Sequence, residues 1–132
     1  MRKMPEQERD SLNNTHYQKG DDLYKQGNYD DALLEFKKAL KAWPTASDTA
    51  WAIADCYSEL LKPRLAEKFY RLALDTCSIK KRASLLYNIG NALFDQRKYK
   101  DALMHYEKIS KQNRVYKQAR KNIKLVKSKI AK

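Results

Sequence analysis

Glycine and proline are scarce: three of each stand in 132 residues, which leaves few enforced breaks and favours an all-helical chain. Cysteine occurs only at Cys56 and Cys77, without the spacing of a metal site, and both are expected as small buried apolar residues. No apolar run approaches the ~18 residues that would suggest a membrane-spanning helix. Met1 to Thr15 is polar throughout, so no charged-then-apolar leader is expected and the protein is placed in the cytoplasm. Glycine-rich phosphate loops and nucleophile elbows are missing as well. The two histidines, His16 and His105, lie far apart, and neither has a Cys, Asp or Glu at ligand spacing. Adjacent pairs such as Asp21 and Asp22 point to different sides of a helix and cannot share one site. These absences leave no catalytic residues, no metal ligands and no cofactor site to name, so an enzyme is not expected.

What is present is one stretch and its diverged copies. Gly20 to Pro44 reads as a helix ending at Gly27, a tight turn, and a second helix that begins near Tyr29 and stops before Pro44. Gly27 can take the left-handed conformation that closes a helix, and Asn28 can cap the next one. Asp30 and Asp31 sit at the positive end of the second helix dipole, with Lys37, Lys38 and Lys41 towards its negative end.

The same spacing recurs down the chain. Ala32, Ala66 and Ala102, separated by 34 and then 36 residues, are each followed four residues later by Phe36, Tyr70 and Tyr106. Alanine lets two helix backbones approach, and the ring four residues on lies on the same face and fills the space beside it. In the first helix of each unit the small positions are Gly20, Ala54 and Gly90, with Leu23, Tyr57 and Leu93 three residues later.

On these residues the chain resembles the tetratricopeptide repeat family, whose pattern is W-x2-L-G-x2-Y, then A-x3-F, then P over about 34 residues. The first unit departs at His16, where a tryptophan is usual, and at Lys19, where a leucine is usual; Ser78 and Arg114 replace the closing proline of the later units. The resemblance implies an all-α, right-handed superhelical solenoid of three antiparallel helix pairs with a terminal capping helix. It implies one domain over residues 1–132, with repeats at about 13–46, 47–80 and 83–116 and the cap at about 115–130. Such a family is a scaffold on which binding sites are written, which implies a non-catalytic protein-interaction module, an adaptor or chaperone-like protein.

The helices are expected at about 5–26, 29–42, 46–60, 63–77, 82–96, 99–111 and 115–130. Pro5 and Pro63 suit first helical positions. Thr45 with Asp48 resembles a capping box. Residues 79–82 hold a two-residue insertion that could splay the second and third units. The last helix carries Tyr116, Ala119, Ile123, Val126 and Ile130 on one stripe, as a cap over the final hairpin requires.

Charge is unevenly spread. Residues 1–61 hold 8 basic and 11 acidic side chains, a net of −3, whereas residues 62–132 hold 20 and 5, a net of +15. The last helix offers Arg120, Lys121, Lys124 and Lys127 as a basic patch that could attract an acidic partner or nucleic acid. No base-reading motif accompanies it, and lysine positions a phosphate backbone rather than reading sequence.

The resemblance places the first helix of each unit on a concave face. Residues three and four apart share a helix face, so Tyr17, Asp21 and Tyr24 form one row. Trp51, Asp55 and Ser58 form the next, and Tyr87, Asn91 and Phe94 the third. One subfamily grips the terminal carboxylate of chaperone tails with Lys, Arg and Asn at such positions. Here they read Tyr17, Asp21, Asp55, Tyr87 and Asn91, and only Asn91 fits, so that ligand is not expected. A groove of rings and carboxylates suits instead an extended protein or peptide segment with apolar anchors and a Lys or Arg. Three rows of helices about 8–10 Å apart make a groove for roughly 6–9 extended residues. The small three-repeat chaperones of type III secretion look similar in size and layout, so a chaperone of a secretion or assembly system is an alternative. The oligomeric state is open.

Overall fold

The computed structural model describes residues 5–132; residues 1–4 of the single domain expected from the sequence lie outside the described residues. Among the described residues there are seven helices and no strand. They are α1 (Glu6–Lys25), α2 (Tyr29–Ala42), α3 (Ser47–Glu59), α4 (Pro63–Thr76), α5 (Ile79–Asp95), α6 (Tyr99–Glu107) and α7 (Tyr116–Ile130). Each helix packs chiefly on its neighbours in sequence, α1 on α2, α3 on α4, α5 on α6, with α7 against α6. This is a helical repeat solenoid of three hairpins and a cap.

The recurring small and aromatic residues are what hold each hairpin closed. Ala32, Ala66 and Ala102 are fully buried, and Phe36, Tyr70 and Tyr106 nearly so. A Cβ added at Gly20 would stand 2.7 Å from the Phe36 ring, and one at Gly90 would run into the ring of Tyr106. The second-helix ring therefore lies directly against the first-helix backbone in these two units, where an added Cβ would clash, while the second unit accommodates Ala54 at the same position. Ile53, Leu85, Ile89 and Leu93 continue the core between hairpins. Tyr106 is fully buried, so replacing it by alanine would cost about 3–5 kcal/mol through the lost burial and the cavity left behind.

Every repeat turns in the same way. Gly27 has φ of +81°, and the equivalent Leu61 and Arg97 have +59° and +62°. The amide of Gly27 donates to the Tyr24 carbonyl and that of Asn28 to the Leu23 carbonyl. Leu61 with Lys62 and Arg97 with Lys98 repeat that pair of bonds on Ser58, Tyr57, Phe94 and Leu93. This closes the first helix of each hairpin on a left-handed residue and satisfies its last carbonyls. Only the first unit uses the residue that adopts this conformation without strain.

Several helix ends differ from the sequence reading. Asn28 occupies the cap position of α2, but its side chain makes no capping bond. The cap of α3 is Ala46 rather than Thr45, because a turn from the Trp43 carbonyl to the Ala46 amide delays the helix. Asp48 is then free of capping and pairs with Lys81 at 2.5 Å. The insertion at 79–82 is absorbed as an early first turn of α5, which runs 17 residues against 13 for α3. Helix α6 ends four residues early. Ser110 and Asn113 hydrogen-bond the nearby amides of Gln112 and Val115, which competes with helix continuation.

The ends of the stack are covered. The extra turns at the start of α1 put Arg9 over the Trp43 ring and let Asn13 donate to the Ala39 carbonyl and to Thr49 Oγ1. His16 sits between α1 and α2, where its Nδ1 is 2.7 Å from Glu35 Oε2. Glu35 is thus the acidic partner that the sequence reading did not find for His16, and its carboxyl is held below the usual range, first by that bond. On α7, Ala119 and Val126 are fully buried and Tyr116 and Ile123 half-buried, while Ile130 at the end of the stripe is exposed. Cys56 is buried and Cys77 half-buried.

Candidate functional site

The first helix of each hairpin presents one row, and the rows differ in what their own hairpin does with them. In the second unit, the hydroxyl of Tyr70 on α4 donates to Asp55 Oδ1 at 2.6 Å. In the third, Tyr106 on α6 donates to Asn91 Oδ1 at 2.5 Å. In the first unit the equivalent ring is Phe36, which has no hydroxyl, so Asp21 receives no such bond. Its partner is Lys25, one turn on, at 2.9 Å, with the ammonium largely exposed. A surface pair of that kind is screened by solvent and readily exchanged.

Five of the eight residues expected to bind a partner converge here. Tyr17, Asp21 and Tyr24 of α1 and Trp51 and Asp55 of α3 line one cavity of about 300 Å³, with buried Phe36 and exposed Asp48 in the same wall. The Tyr17 ring is held against Phe36 at 5.3 Å between centroids, and Tyr24 makes an edge contact with Tyr29 at 5.1 Å. Those rings are braced from behind, so their free faces and edges are pre-positioned.

The third row is different. Asn91 and Phe94 lie in a separate cavity of about 370 Å³, together with Ser58, Asp95, Asn122 and Leu125. Tyr87 lines neither cavity: its ring packs on Tyr106 at 5.9 Å. Asn122 on α7 donates to Asn91 Oδ1 at 2.9 Å and approaches the hydroxyls of Tyr87 and Tyr106 at 3.3 and 3.5 Å. The capping helix therefore occupies polar positions that the sequence reading left open to a partner. Arg120, Lys121, Lys124 and Lys127 are exposed on α7 and line neither cavity.

The electrostatics of the first cavity are negative. Burial raises the pKa of Tyr17, and the charges of Asp48, Asp21 and Asp55 raise it further. Tyr24 moves the same way, through burial and then Asp55 and Glu59. Asp55 is itself pushed above the usual carboxylate range by burial, with the Tyr70 bond acting in the opposite sense. None of the ion pairs among the described residues includes Asp55. Among the described residues, no three His, Cys, Asp or Glu side chains are grouped so as to hold a metal ion. No helix among them is long and apolar enough to cross a membrane.

Sequence reasoning missed Asp48, Phe36 and Asn122 as members of this surface. The sequence alone points to a cap for Asp48 and to packing for Phe36. The signal for Phe36 was legible, because it is the one ring of the three without a hydroxyl. Asn122 carried a weaker signal, an uncharged amide between lysines on the cap.

Models of the tetratricopeptide repeat match residues 17–78 and 82–109. The type IV pilus assembly protein PilF of Pseudomonas aeruginosa is 32% identical over 94 residues, which is 71% of this chain and 36% of that protein. The chain thus spans about a third of the length of that curated relative. A solved structure of Pseudomonas aeruginosa PilF superposes with a TM-score of 0.75 at 26% identity, over 93% of this chain and 55% of that one. The first tetratricopeptide domain of Spaghetti (RPAP3), bound to an HSP90 peptide, superposes at 0.81 with 23% identity, over 92% and 95%. MamA does so at 0.81 with 23% identity, over 90% and 64%. At 23% identity the last two likenesses speak for the fold alone.

Proposed function

We propose, from the premise that the chain belongs to the tetratricopeptide repeat family, that it is a non-catalytic adaptor that holds an extended protein segment along α1, α3 and α5. The observation that carries this reading is the cavity between α1 and α3, where Tyr17, Tyr24 and Trp51 stand beside carboxylates that no internal cation neutralises at Asp55. A segment with apolar anchors and a basic residue fits such a surface, the anchors on the rings and the cation at the carboxylates. Each buried anchor contributes on the order of 1–3 kcal/mol, so three near the upper end of that range supply the ~8 kcal/mol of a micromolar complex. Phe94 and the second cavity extend the groove towards α7, although Asn122 narrows what Asn91 and Tyr87 can offer.

The test is to select peptides on the wild-type protein and titrate them against Trp51→Ala with Tyr24→Ala. The double variant should keep its helical circular dichroism and bind at least about tenfold more weakly. Equal affinity in the folded double variant would rule the groove out.

A second reading names the setting. The similarity to PilF over 71% of the chain favours a partner that belongs to a secretion or assembly system, which the module would hold while it is built. Co-purification of such a component, lost with the same double variant, is the result this reading requires. Binding of nucleic acid through Arg120, Lys121, Lys124 and Lys127 makes a different prediction, an affinity that falls steeply with salt and ignores Trp51.

A further inference from the structure

We propose that the cavity between α1 and α3 is a pocket for one arginine side chain of the bound segment, recognised by ring stacking and by the carboxylates of Asp21, Asp55 and Asp48. The inference rests on the groove reading above and narrows it to one subsite and one side chain.

Size, wall and charge each limit the occupant. At about 300 Å³ the cavity lies at the small end of ligand pockets, which suits a single long side chain rather than a whole cofactor. Its walls are aromatic, from Tyr17, Tyr24, Trp51 and Phe36, which favours a flat or apolar group. Its acceptors are anionic, which disfavours an acidic or purely apolar group. A cation with a flat face satisfies both, and the guanidinium is that cation: it stacks on rings and presents five donors in a plane.

The arrangement of the carboxylates separates arginine from compact cations. They are not grouped as a metal site would need, so a small ion cannot be held by all of them. A planar fork can bond separated acceptors at its edges while its face rests on a ring. A lysine ammonium is a compact, strongly hydrated charge and gains less from the rings.

The acceptors are also available. Asp55 is half-buried, and among the described residues only the neutral Tyr70 hydroxyl bonds it, so an arriving cation offsets a charge already taken out of water. Asp21 is held only by the exposed Lys25, because Phe36 lacks the hydroxyl its counterparts use. Asp48 pairs with Lys81 on the outer rim, with its own side chain more than half exposed. The equivalent row of the third unit shows the contrast, since Asn91 replaces the acid and is already bonded by Tyr106 and Asn122. The half of the chain that holds the pocket carries a net −3 in a protein of +12, so this surface attracts a basic segment that the rest repels.

The experiment uses the full chain and three capped pentapeptides, four alanines around a central arginine, lysine or citrulline. Citrulline keeps the shape of arginine and removes its charge. The readout is the indole N–H resonance of Trp51, with that of Trp43, which lies outside the cavity, as the internal control. The arginine peptide should shift Trp51 saturably and leave Trp43 unmoved. Lysine should bind several-fold more weakly and citrulline about tenfold or more weakly. Asp21→Asn and Asp55→Asn, each with unchanged circular dichroism, should weaken the arginine peptide without affecting what little citrulline binds. Equal binding of arginine and citrulline, no saturable shift, or indifference to both variants overturns the proposal. So does self-association of the protein that both variants abolish, which would make the basic α7 of a second copy the occupant. If display-selected peptides still bind in the groove while arginine and citrulline prove equal, the pocket assignment alone fails. If no selected peptide depends on Trp51 and Tyr24, the groove reading itself fails.

Discussion

Replacing Asp55 by asparagine should stabilise the protein and weaken its grip on a cationic segment at the same time. Asp55 is half-buried, forms no ion pair among the described residues and accepts one hydrogen bond from Tyr70. Burial lifts its pKa, which means that the folded state disfavours the charged form. A group whose folded pKa is raised contributes its stability below the unfolded pKa and loses it as pH rises through the folded pKa. At neutral pH the wild-type protein has therefore given that stability up. Asparagine removes the charge and keeps the acceptor, and the third unit already contains this pair in Asn91 and Tyr106. A fully buried charge costs several kcal/mol, and half-burial with one hydrogen bond reduces this to about 1 kcal/mol. The gain at pH 7 should therefore be about 1 kcal/mol, read as a higher urea midpoint with an unchanged slope. At a pH below the ordinary carboxylate range both proteins carry a neutral group and the difference should close. Lower stability of Asp55→Asn at pH 7, or a gain of equal size in acid, would refute the reasoning.

Two further outcomes follow from backbone and packing geometry. Leu61 and Arg97 hold the left-handed turn that Gly27 occupies in the first unit, and Leu61 is 86% exposed, so glycine loses no burial there. Relief of about 1–2 kcal/mol of strain, less the extra unfolded-state freedom of glycine, leaves Leu61→Gly and Arg97→Gly each more stable by roughly 0.5–1 kcal/mol. The sites are distant and should add, and unfolding midpoints of the single and double variants check it. Gly90→Ala should do the reverse of what helix propensity predicts: alanine gains about 1 kcal/mol in a helix interior, but the Cβ meets the Tyr106 ring and overpacking costs about 1–3 kcal/mol. A net loss by thermal melting is the expected result, and a more stable variant would show that the ring can move.

The fold was legible because its determinants are local and repeated. Gly20 and Phe36, Ala54 and Tyr70, and Gly90 and Tyr106 are pairs that only a closed hairpin explains, and they recur at the family's period. Helix ends were legible only where the residue itself imposes them, as at Gly27 and Pro63. Thr45, Ser110 and Asn113 were misjudged or missed, because polar side chains at helix ends choose between capping and local turns according to neighbours that the sequence does not order. The concave rows could be written from register alone, and the structure brings Tyr17, Asp21, Tyr24, Trp51 and Asp55 to one cavity. The fate of Tyr87 and Asn91 could not, since it depends on how α7 docks and on Asn122 reaching three groups on α5 and α6. Asp48 was hidden for the same reason: its partner Lys81 stands 33 residues away.

The central claim, that the groove of α1 and α3 and not the basic face of α7 receives the partner, is tested most directly by amide chemical-shift mapping with a display-selected peptide. The account predicts that the residues that shift include Tyr17, Asp21, Tyr24, Trp51 and Asp55, with the amides of Arg120, Lys121, Lys124 and Lys127 unmoved. Shifts confined to those four residues of α7, with a silent Trp51 indole, would contradict it.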